Sequence, residues 1–142
     1  MSGLTDIILV DDEPIANQVH RAIVEESQIA PATVFDDPQK ALAELQKKLN
    51  EESGEILLLL DLNMPQLSGW EFLSAIEKKA KEISSQHRKK IRVFILSSSL
   101  DPQDKEKAAS HPWVIAFVEK PLTKLKWQKI LAELGHGLNG LN

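Results

Sequence analysis

At 142 residues, with 42% hydrophobic and 27% charged residues, the chain has the composition of one ordinary globular domain, and no apolar run approaches the roughly 20 residues of a membrane helix. The net charge of -4 gives no basic surface for nucleic acid, and we expect the one basic run, from His87 to Lys90, to be a solvated loop. The absence of cysteine excludes disulfides and thiolate metal sites, and with no secretory signal in the sequence as given we expect a cytoplasmic protein.

Five short apolar segments alternate along the chain with five segments of helical periodicity. We predict strands at residues 6–10, 32–35, 56–60, 92–96 and 114–118. Regular alternation of this kind indicates repeated β-α units around a parallel sheet, with helices on both faces. No internal repeat or interdomain linker is visible, so we expect one domain with a core over about residues 6–134 and a flexible tail at 135–142.

Capping residues and prolines predict where the first two helices begin. The first begins at Pro14, which suits the first helical turn. Its apolar residues at helical spacing, which we expect to be buried, are Ile15, Val19, Ala22 and Ile23. The second begins at Pro38 after the capping residue Asp37. Its inward-facing residues are predicted to be Ala41, Leu42 and Leu45.

The other three helices differ in how much apolar surface they offer. The third starts near Ser68, and its apolar side consists of Trp70, Leu73 and Ile76. The fourth follows Asp101 and Pro102 but has few large apolar residues, so we expect it to be the most loosely packed. The fifth stops at Gly135 and contains the apolar residues Leu122, Leu125, Ile130, Leu131 and Leu134.

Charged and polar residues directly follow four of the predicted strands. They are Asp11 and Asp12, Asp61, Ser97, and Lys120 with Pro121. The carboxyl ends of parallel strands lie at one edge of the sheet, which is where ligands bind in folds of this kind. Three carboxylates and one ammonium leave this edge acidic, and a divalent ion would neutralise it. Ligand sets made only of oxygen suit Mg²⁺.

The same residues suit phosphoryl transfer. Mg²⁺, the ammonium of Lys120 and the hydroxyl of Ser97 can share the oxygens of a phosphoryl group, while a carboxylate acts as the nucleophile. Asp61 is the best candidate for the nucleophile because it follows the long central apolar run directly. Asp12, and more weakly Asp11, would then bind the metal.

Together these motifs resemble the receiver domain of two-component response regulators, over nearly the whole chain from about residue 6 to residue 134. The matching residues, in chain order, are Asp11, Asp12, the segment from Asp61 to Pro65, Gly69, Ser97, Lys120 and Pro121. The resemblance implies a flavodoxin-like, doubly wound α/β/α sandwich with five parallel strands in the order 2-1-3-4-5.

The resemblance also implies roles for individual residues. Asp61 would be the phosphoacceptor and would share Mg²⁺ with Asp12 directly, with Asp11 through water, and with the backbone carbonyl of Asn63. Lys120 would pair with the phosphoryl group, and its bond to Pro121 would be a cis peptide. Such a domain is not an enzyme with a separate substrate, because it catalyses only its own phosphorylation and slow dephosphorylation.

A switch and a set of partners follow from the same resemblance. Ser97 would move toward the phosphoryl group, and Phe117 on the fifth strand would rotate inward behind it. The donor would be a histidine kinase or phosphotransfer protein, and a downstream protein would bind the face of the fourth helix, fifth strand and fifth helix. We expect a stand-alone receiver, monomeric or forming a phosphorylation-linked dimer, with neither nucleic acid nor membrane as partner.

Two other functions remain open at this point. An aspartate-nucleophile phosphatase of the haloacid dehalogenase type also uses Mg²⁺, Asp and Lys, but it needs a second Asp two residues after the nucleophile, where this chain has Asn63. A receiver-like domain that never takes up phosphate could instead bind its partner constitutively. Taken singly, the acidic residues would more often be loop caps.

The histidines and tryptophans give weaker signals. None of His20, His87, His111 and His136 has the spacing of a metal site, so we expect them to be structural or exposed. Trp70 is expected to pack within the third helix. Trp113 and Trp127 fall either in the core or on the predicted partner-binding face, since aromatic residues favour both.

Overall fold

The computed structural model describes residues 3–51, 54–83 and 89–135. The strands are β1 (Leu4–Val10), β2 (Ala32–Phe35), β3 (Glu55–Leu60), β4 (Lys90–Ser97) and β5 (Val114–Glu119). The helices are α1 (Pro14–Glu26), α2 (Pro38–Leu49), α3 (Gly69–Lys81), α4 (Pro102–Ser110) and α5 (Lys124–Glu133). Within those three ranges, no helix has the length and apolar character needed to cross a membrane.

The five strands form one parallel sheet in the order β2-β1-β3-β4-β5. This confirms the predicted doubly wound fold and places β3 at the centre, where its apolar run from Ile56 to Leu60 is fully buried. All five predicted strands are present, and β4 is longer than predicted, so that Ser97 is its last residue.

The core has two layers because alternate residues of each strand point to opposite faces of the sheet. Ile56, Leu58 and Leu60 pack with buried residues of α2, α3 and α4. Leu57 and Leu59 pack on the other face with buried residues of α1 and α5. The sheet is thus covered on both sides, and its carboxyl edge is left for the residues that follow the strands.

The face that α1 buries is not the predicted one. Ile15 and Val19 are 79% and 52% exposed, Ala22 is exposed, and Ile23 is only half-buried. The residues buried in their place are Asn17, His20 and Val24. Apolar periodicity therefore identified the helix and its start at Pro14 correctly but gave the wrong orientation about its axis.

Where the structure describes it, the basic run differs from the solvated loop that was predicted. His87 and Arg88 lie outside the described residues, whereas Lys89 is buried and Lys90 is the first residue of β4. The ammonium of Lys89 contacts Asp6 Oδ2 on β1 at 2.8 Å. A carboxylate partner explains why this lysine leaves water, since an unpaired buried charge would be very costly.

The remaining helices largely follow the sequence pattern. Asp37 caps α2 and accepts a hydrogen bond from the backbone N–H of Gln39, as predicted, and Ala41 and Leu45 are buried. The core face of α3 includes Leu73 and Ile76, and also Phe72, which the pattern missed.

The fourth and fifth helices differ from the prediction in detail. Only Ala108 of α4 is buried, in keeping with its expected loose packing. The fifth helix starts at Lys124, so Leu122 precedes it, and Leu125 is exposed. Trp127 is buried in the core layer of α5. The predicted tail lies, beyond Gly135, outside the described residues.

Candidate functional site

Three carboxylates converge where β1 and β3 end. Asp11 and Asp12 follow β1, and Asp61 follows β3, its neighbour in the sheet. A carboxylate oxygen from each of the three lies within 4.8 Å of the others. The backbone N–H of Asp61 donates to the carbonyl of Val10 at 2.9 Å, so the strand pairing itself fixes this approach. The acidic cluster predicted from the sequence is therefore present as one group.

Lys120 enters the same cluster from the end of β5. Its ammonium lies 2.5 Å from Asp11 Oδ2 and 3.5 Å from Asp61 Oδ2, and Glu13 Oε1 is at 3.7 Å. The backbone N–H of Lys120 donates to the carbonyl of Ser97 at 3.0 Å, which fixes the lysine beside the end of β4. The bond from Lys120 to Pro121 is cis, as the resemblance implied.

The charges in this cluster do not balance, and the pKa values reflect that. Burial, and then the carboxylate of Asp11, raise the pKa of Asp61 to about 6, although Lys120 and the backbone N–H of Asn63 act in the opposite direction. Burial also acts against the charge on Lys120, but its hydrogen bond to Asp11 and the charge on Asp61 outweigh burial and raise the pKa of Lys120. One ammonium does not neutralise the acidic cluster.

The segment after Asp61 is held by Gly69 at the start of α3. A Cβ on Gly69 would lie 2.6 Å from the carbonyl oxygen of Asp61 and 2.9 Å from Cα of Leu62, closer than any side chain could sit. Its N–H donates to the carbonyl of Leu62 at 2.9 Å. A capping box between Ser68 and Glu71 then starts the helix. The glycine in the motif therefore allows α3 to pack directly against the backbone that presents Asp61.

The other predicted site residues lie around this cluster. Ser97 is fully buried at the end of β4, and its Oγ accepts a hydrogen bond from the backbone N–H of Ser99 at 3.1 Å. Asn63 is exposed, and its backbone N–H faces Asp61 Oδ1 at 3.4 Å. Phe117 is half-buried on β5, opposite Ile95, and the Lys105 ammonium lies 5.8 Å from its ring centroid.

Two residues in contact with the site segments were missed by the sequence analysis. Asn17 donates from Nδ2 to the carbonyl of Asp11 at 2.6 Å, and His20 Nε2 accepts the backbone N–H of Leu122 at 3.3 Å. Both are buried on α1. The only signal in the sequence is a polar pair three residues apart on the helix that follows the acidic pair, and apolar periodicity assigned that face to solvent.

His111 is the other described histidine, and it lies away from the cluster. Its Nε2 is 3.0 Å from Glu77 Oε1, and its Nδ1 accepts the backbone N–H of Trp113. Both His20 and His111 are thus structural, as expected, while His87 and His136 lie outside the described residues.

Comparisons with known proteins agree with this arrangement. The chain is 30% identical over 132 residues to the two-component response regulator ORR1 of rice, which covers 90% of the chain but 54% of that protein. It therefore spans about half the length of the curated relatives it matches. A two-component response regulator from Cytophaga hutchinsonii is 25% identical, with a TM-score of 0.73 and coverage of 93% of this chain and 97% of that one.

The fold is shared more widely than the sequence. The response regulator TrrA of Thermotoga maritima, solved in complex with Mg²⁺ and a beryllium fluoride, superimposes with a TM-score of 0.67 over 92% of this chain and 98% of that one, at 19% identity. The model of the response regulator receiver domain family matches residues 7–132, which include every residue of the cluster. The chain belongs to the response regulator receiver domain family.

Proposed function

We propose that this chain is the phosphoacceptor of a two-component relay. In this proposal Asp61 takes a phosphoryl group from a histidine kinase or a histidine phosphotransfer protein, and the phosphorylated domain binds a downstream protein. The observation that carries the proposal is the position of Asp61 at the end of the central strand, with carboxylates on one side and Lys120 at 3.5 Å. One receiver unit, formed by the elements from β1 to α5, would perform both tasks.

The residues around Asp61 fit a bound Mg²⁺. Their ligand atoms are all oxygens, and three carboxylates lie within reach of one ion. The raised pKa of Asp61 results from burial and, after it, from the negative charge of Asp11, which Lys120 only partly offsets. We assign the metal to Asp11, Asp12, Asp61 and the backbone carbonyl of Asn63. When bound, the ion would supply positive charge to the carboxylates and to the phosphoryl oxygens. TrrA, with the same fold, was solved with Mg²⁺ and a beryllium fluoride.

The protein groups have separate tasks in the transfer. A carboxylate oxygen of Asp61 attacks phosphorus, an O–P bond forms, the N–P bond to the donor histidine breaks, and the imidazole leaves with the bonding electron pair. Asp61 must be ionised to attack, and a second cation beside it lowers its pKa below the value of about 6 that burial and Asp11 impose. Lys120 would then pair with the new phosphoryl oxygens.

The output of the domain would depend on Ser97 and Phe117. The Oγ of Ser97 accepts the backbone N–H of Ser99 at 3.1 Å, which leaves its O–H proton to be donated to a phosphoryl oxygen. That new hydrogen bond, made only in the phosphorylated protein, would draw the side chain toward Asp61. Because Lys120 N–H is bonded to the Ser97 carbonyl, a change at Ser97 reaches β5 and its half-buried Phe117. We propose the face of α4, β5 and α5 as the surface that a downstream protein recognises.

The test is the intact mass of the protein after incubation with acetyl phosphate and Mg²⁺. We expect the gain of one phosphoryl group that requires Mg²⁺ and is absent in Asp61→Asn. Asp36→Asn is the matched control, since Asp36 is an exposed aspartate directly after β2 that does not belong to the cluster of Asp11, Asp12 and Asp61. Hydrogen exchange on the same samples should show altered protection in α4 and β5 of the phosphorylated protein.

Two results would contradict the proposal. A mass gain of equal size in Asp61→Asn would show that another residue is modified. The absence of any adduct, together with no binding of beryllofluoride in the presence of Mg²⁺, would favour a domain that binds its partner without phosphate.

A further inference from the structure

Helix α1 turns polar side chains toward the sheet and apolar ones toward solvent. Asn17 and His20 are among its three buried residues, while Ile15 and Val19 are largely exposed. Surface helices ordinarily bury their apolar stripe, and a buried polar group costs free energy unless a hydrogen bond compensates. The contacts of Asn17 and His20 must therefore account for this orientation.

Asn17 holds the backbone beside the carboxylates. Its Nδ2 donates to the carbonyl of Asp11 at 2.6 Å and to the carbonyl of Phe35, at the end of β2, at 3.3 Å. Both partners are acceptors, so the NH₂ group of the amide must face them. The N–H of Asp11 also donates to the carbonyl of Phe35 at 3.1 Å. The turn that presents Asp11 and Asp12 is thus fixed from α1 and from β2.

His20 holds the segment that follows Lys120. Its Nε2 accepts the backbone N–H of Leu122, a residue 102 positions further along the chain and two beyond Lys120. Leu122 is itself buried, and burial lowers the pKa of His20, which keeps Nε2 free to accept. The chain from Lys120 to Leu122 is therefore anchored at both ends, by Ser97 and by His20.

We propose that Asn17 and His20 are positioning residues that hold the two halves of the site separately: Asn17 orients the carboxylate half, which binds Mg²⁺, and His20 orients the lysine half, which binds the phosphoryl group. This inference rests on the proposed phosphoacceptor function. Both side chains border the same narrow space as Asp11 and Asp61, and this space is too small for a water molecule. Neither touches the reacting atoms, so each acts through the backbone that it holds.

The experiment measures two affinities on the full chain: that for Mg²⁺ alone, and that for beryllofluoride at saturating Mg²⁺. Asn17→Leu should weaken Mg²⁺ binding by about tenfold, because groups that orient metal ligands typically have effects of this size. It should leave the beryllofluoride affinity at saturating Mg²⁺ nearly unchanged. His20→Phe should leave the Mg²⁺ affinity nearly unchanged and weaken beryllofluoride binding at saturating Mg²⁺ by about tenfold. His20→Gln, which returns an acceptor at a similar distance from the helix, should restore the beryllofluoride affinity.

Controls separate positioning from folding and from the proposed function. Gln18→Ala, on the exposed side of α1, should change neither affinity. If a variant fails to fold by circular dichroism, Asn17→Ala and His20→Met remove the same hydrogen bonds with a smaller and a more flexible side chain respectively, and the same split is expected. The inference is overturned if both variants weaken both affinities equally or neither affinity changes, while the unmodified chain binds both ligands. Failure of the unmodified chain to bind beryllofluoride would instead overturn the proposed function.

Discussion

The two edges of the sheet contain the same kinds of charged residue, but Asp6 at one edge and Asp61 at the other have different numbers of cations beside them. At the amino edge, Asp6 on β1 lies between two lysines, 2.9 Å from Lys48 and 2.8 Å from Lys89. Burial acts to raise the pKa of Asp6, but hydrogen bonds from Lys89 and Lys48 outweigh it and lower the pKa. At the carboxyl edge, the cluster of three carboxylates contains one lysine, Lys120, and the pKa of Asp61 is raised to about 6.

The two aspartates therefore affect stability differently: the paired charge of Asp6 stabilises the fold, whereas the charge of Asp61 is only partly compensated within the protein. The carboxylate of Asp6 gains two cations when the chain folds, so ion pairing there is complete. The carboxylate of Asp61 loses water and gains the negative charge of Asp11. The carboxyl edge is thus stabilised by whatever brings positive charge to it, and the amino edge needs nothing further.

Removing the carboxylate of Asp6 should have the largest effect on stability. We expect Asp6→Asn to lower the free energy of unfolding by about 3 kcal/mol, because two largely buried lysines lose the carboxylate that they share. Their contacts to Glu44 and Glu51 are longer, and those two carboxylates are more exposed. Urea denaturation at pH 7.5 measures it. The exposed Asp36→Asn should change the same quantity by less than about 0.5 kcal/mol. If Asp6→Asn lowered the free energy of unfolding by no more than Asp36→Asn does, solvent would be screening the lysines in solution.

The same substitution at the other edge should have the opposite sign. We expect Asp61→Asn to raise the free energy of unfolding by about 2 kcal/mol at pH 7.5 without Mg²⁺. Holding a carboxylate ionised when its pKa is near 6 rather than 3.8 costs roughly 3 kcal/mol, and the amide retains part of the hydrogen bonding. Urea denaturation in the presence of a chelator measures it. A decrease in stability would show that Asp61 is already neutralised.

The pH dependence of this gain checks its cause. The folded pKa of Asp61 is raised, so the folded chain binds its proton more tightly than the unfolded chain, and unfolding becomes harder as pH falls from about 7 to about 4. The lowered pKa of His20 gives the opposite slope below its ordinary value of 6.5. Since both proteins contain His20, the difference between them isolates Asp61. That difference should shrink toward zero by about pH 4.

The stabilisation by Asp6 lies in a separate pH range. Its folded pKa is lowered, so its contribution is complete above its ordinary value of 3.8 and is lost only as pH falls through the lower folded value. The difference between Asp6→Asn and the unmodified chain should therefore stay constant from pH 7 to pH 5, where the difference for Asp61→Asn changes. The two substitutions would then differ in the pH range over which their effect on stability changes, as well as in the sign of that effect.

Most of the fold and the acidic cluster could be predicted from the sequence, because both depend on short local patterns. Apolar runs that end in Asp or Ser identified β1, β3 and β4, and the order of the motifs brought Asp11, Asp61 and Lys120 to one edge. The Asp-to-Gly spacing also had a physical cause, the contact of Gly69 with the backbone of Asp61.

The orientation of α1 and the position of Lys89 could not be predicted in the same way. Ile15 and Val19 have helical spacing, but so do Asn17 and His20, and the partners that favour the polar pair are a carbonyl at Asp11 and an N–H 102 residues away. The burial of Lys89 could not be predicted for the same reason, since its partner Asp6 is 83 residues away in the sequence. Periodicity describes one element, whereas these hydrogen bonds depend on which elements the sheet brings together.

The smallest expected effect on the free energy of unfolding is at Asp104, beside the segment that follows β4. Asp104 on α4 accepts Trp70 Nε1 at 3.1 Å through Oδ1 and Ser99 Oγ at 2.6 Å through Oδ2, which links α3, α4 and the segment after Ser97. We expect Asp104→Ala to lower the free energy of unfolding by about 1 kcal/mol. Hydrogen exchange should show faster exchange of the α4 amides with β1 and β3 unchanged.

This locality is expected because α4 has only one buried residue, Ala108, so side-chain hydrogen bonds make up a large share of what holds it to the fold. Asp104→Asn keeps one acceptor and should lose about half as much, and Glu106→Ala, an exposed change on the same helix, should have almost no effect. If Asp104→Ala speeds exchange in β3 as strongly as in α4, the helix and the acidic cluster unfold as one unit. If only α4 responds, the carboxyl edge combines a rigid acidic cluster with a helix that can move independently of it.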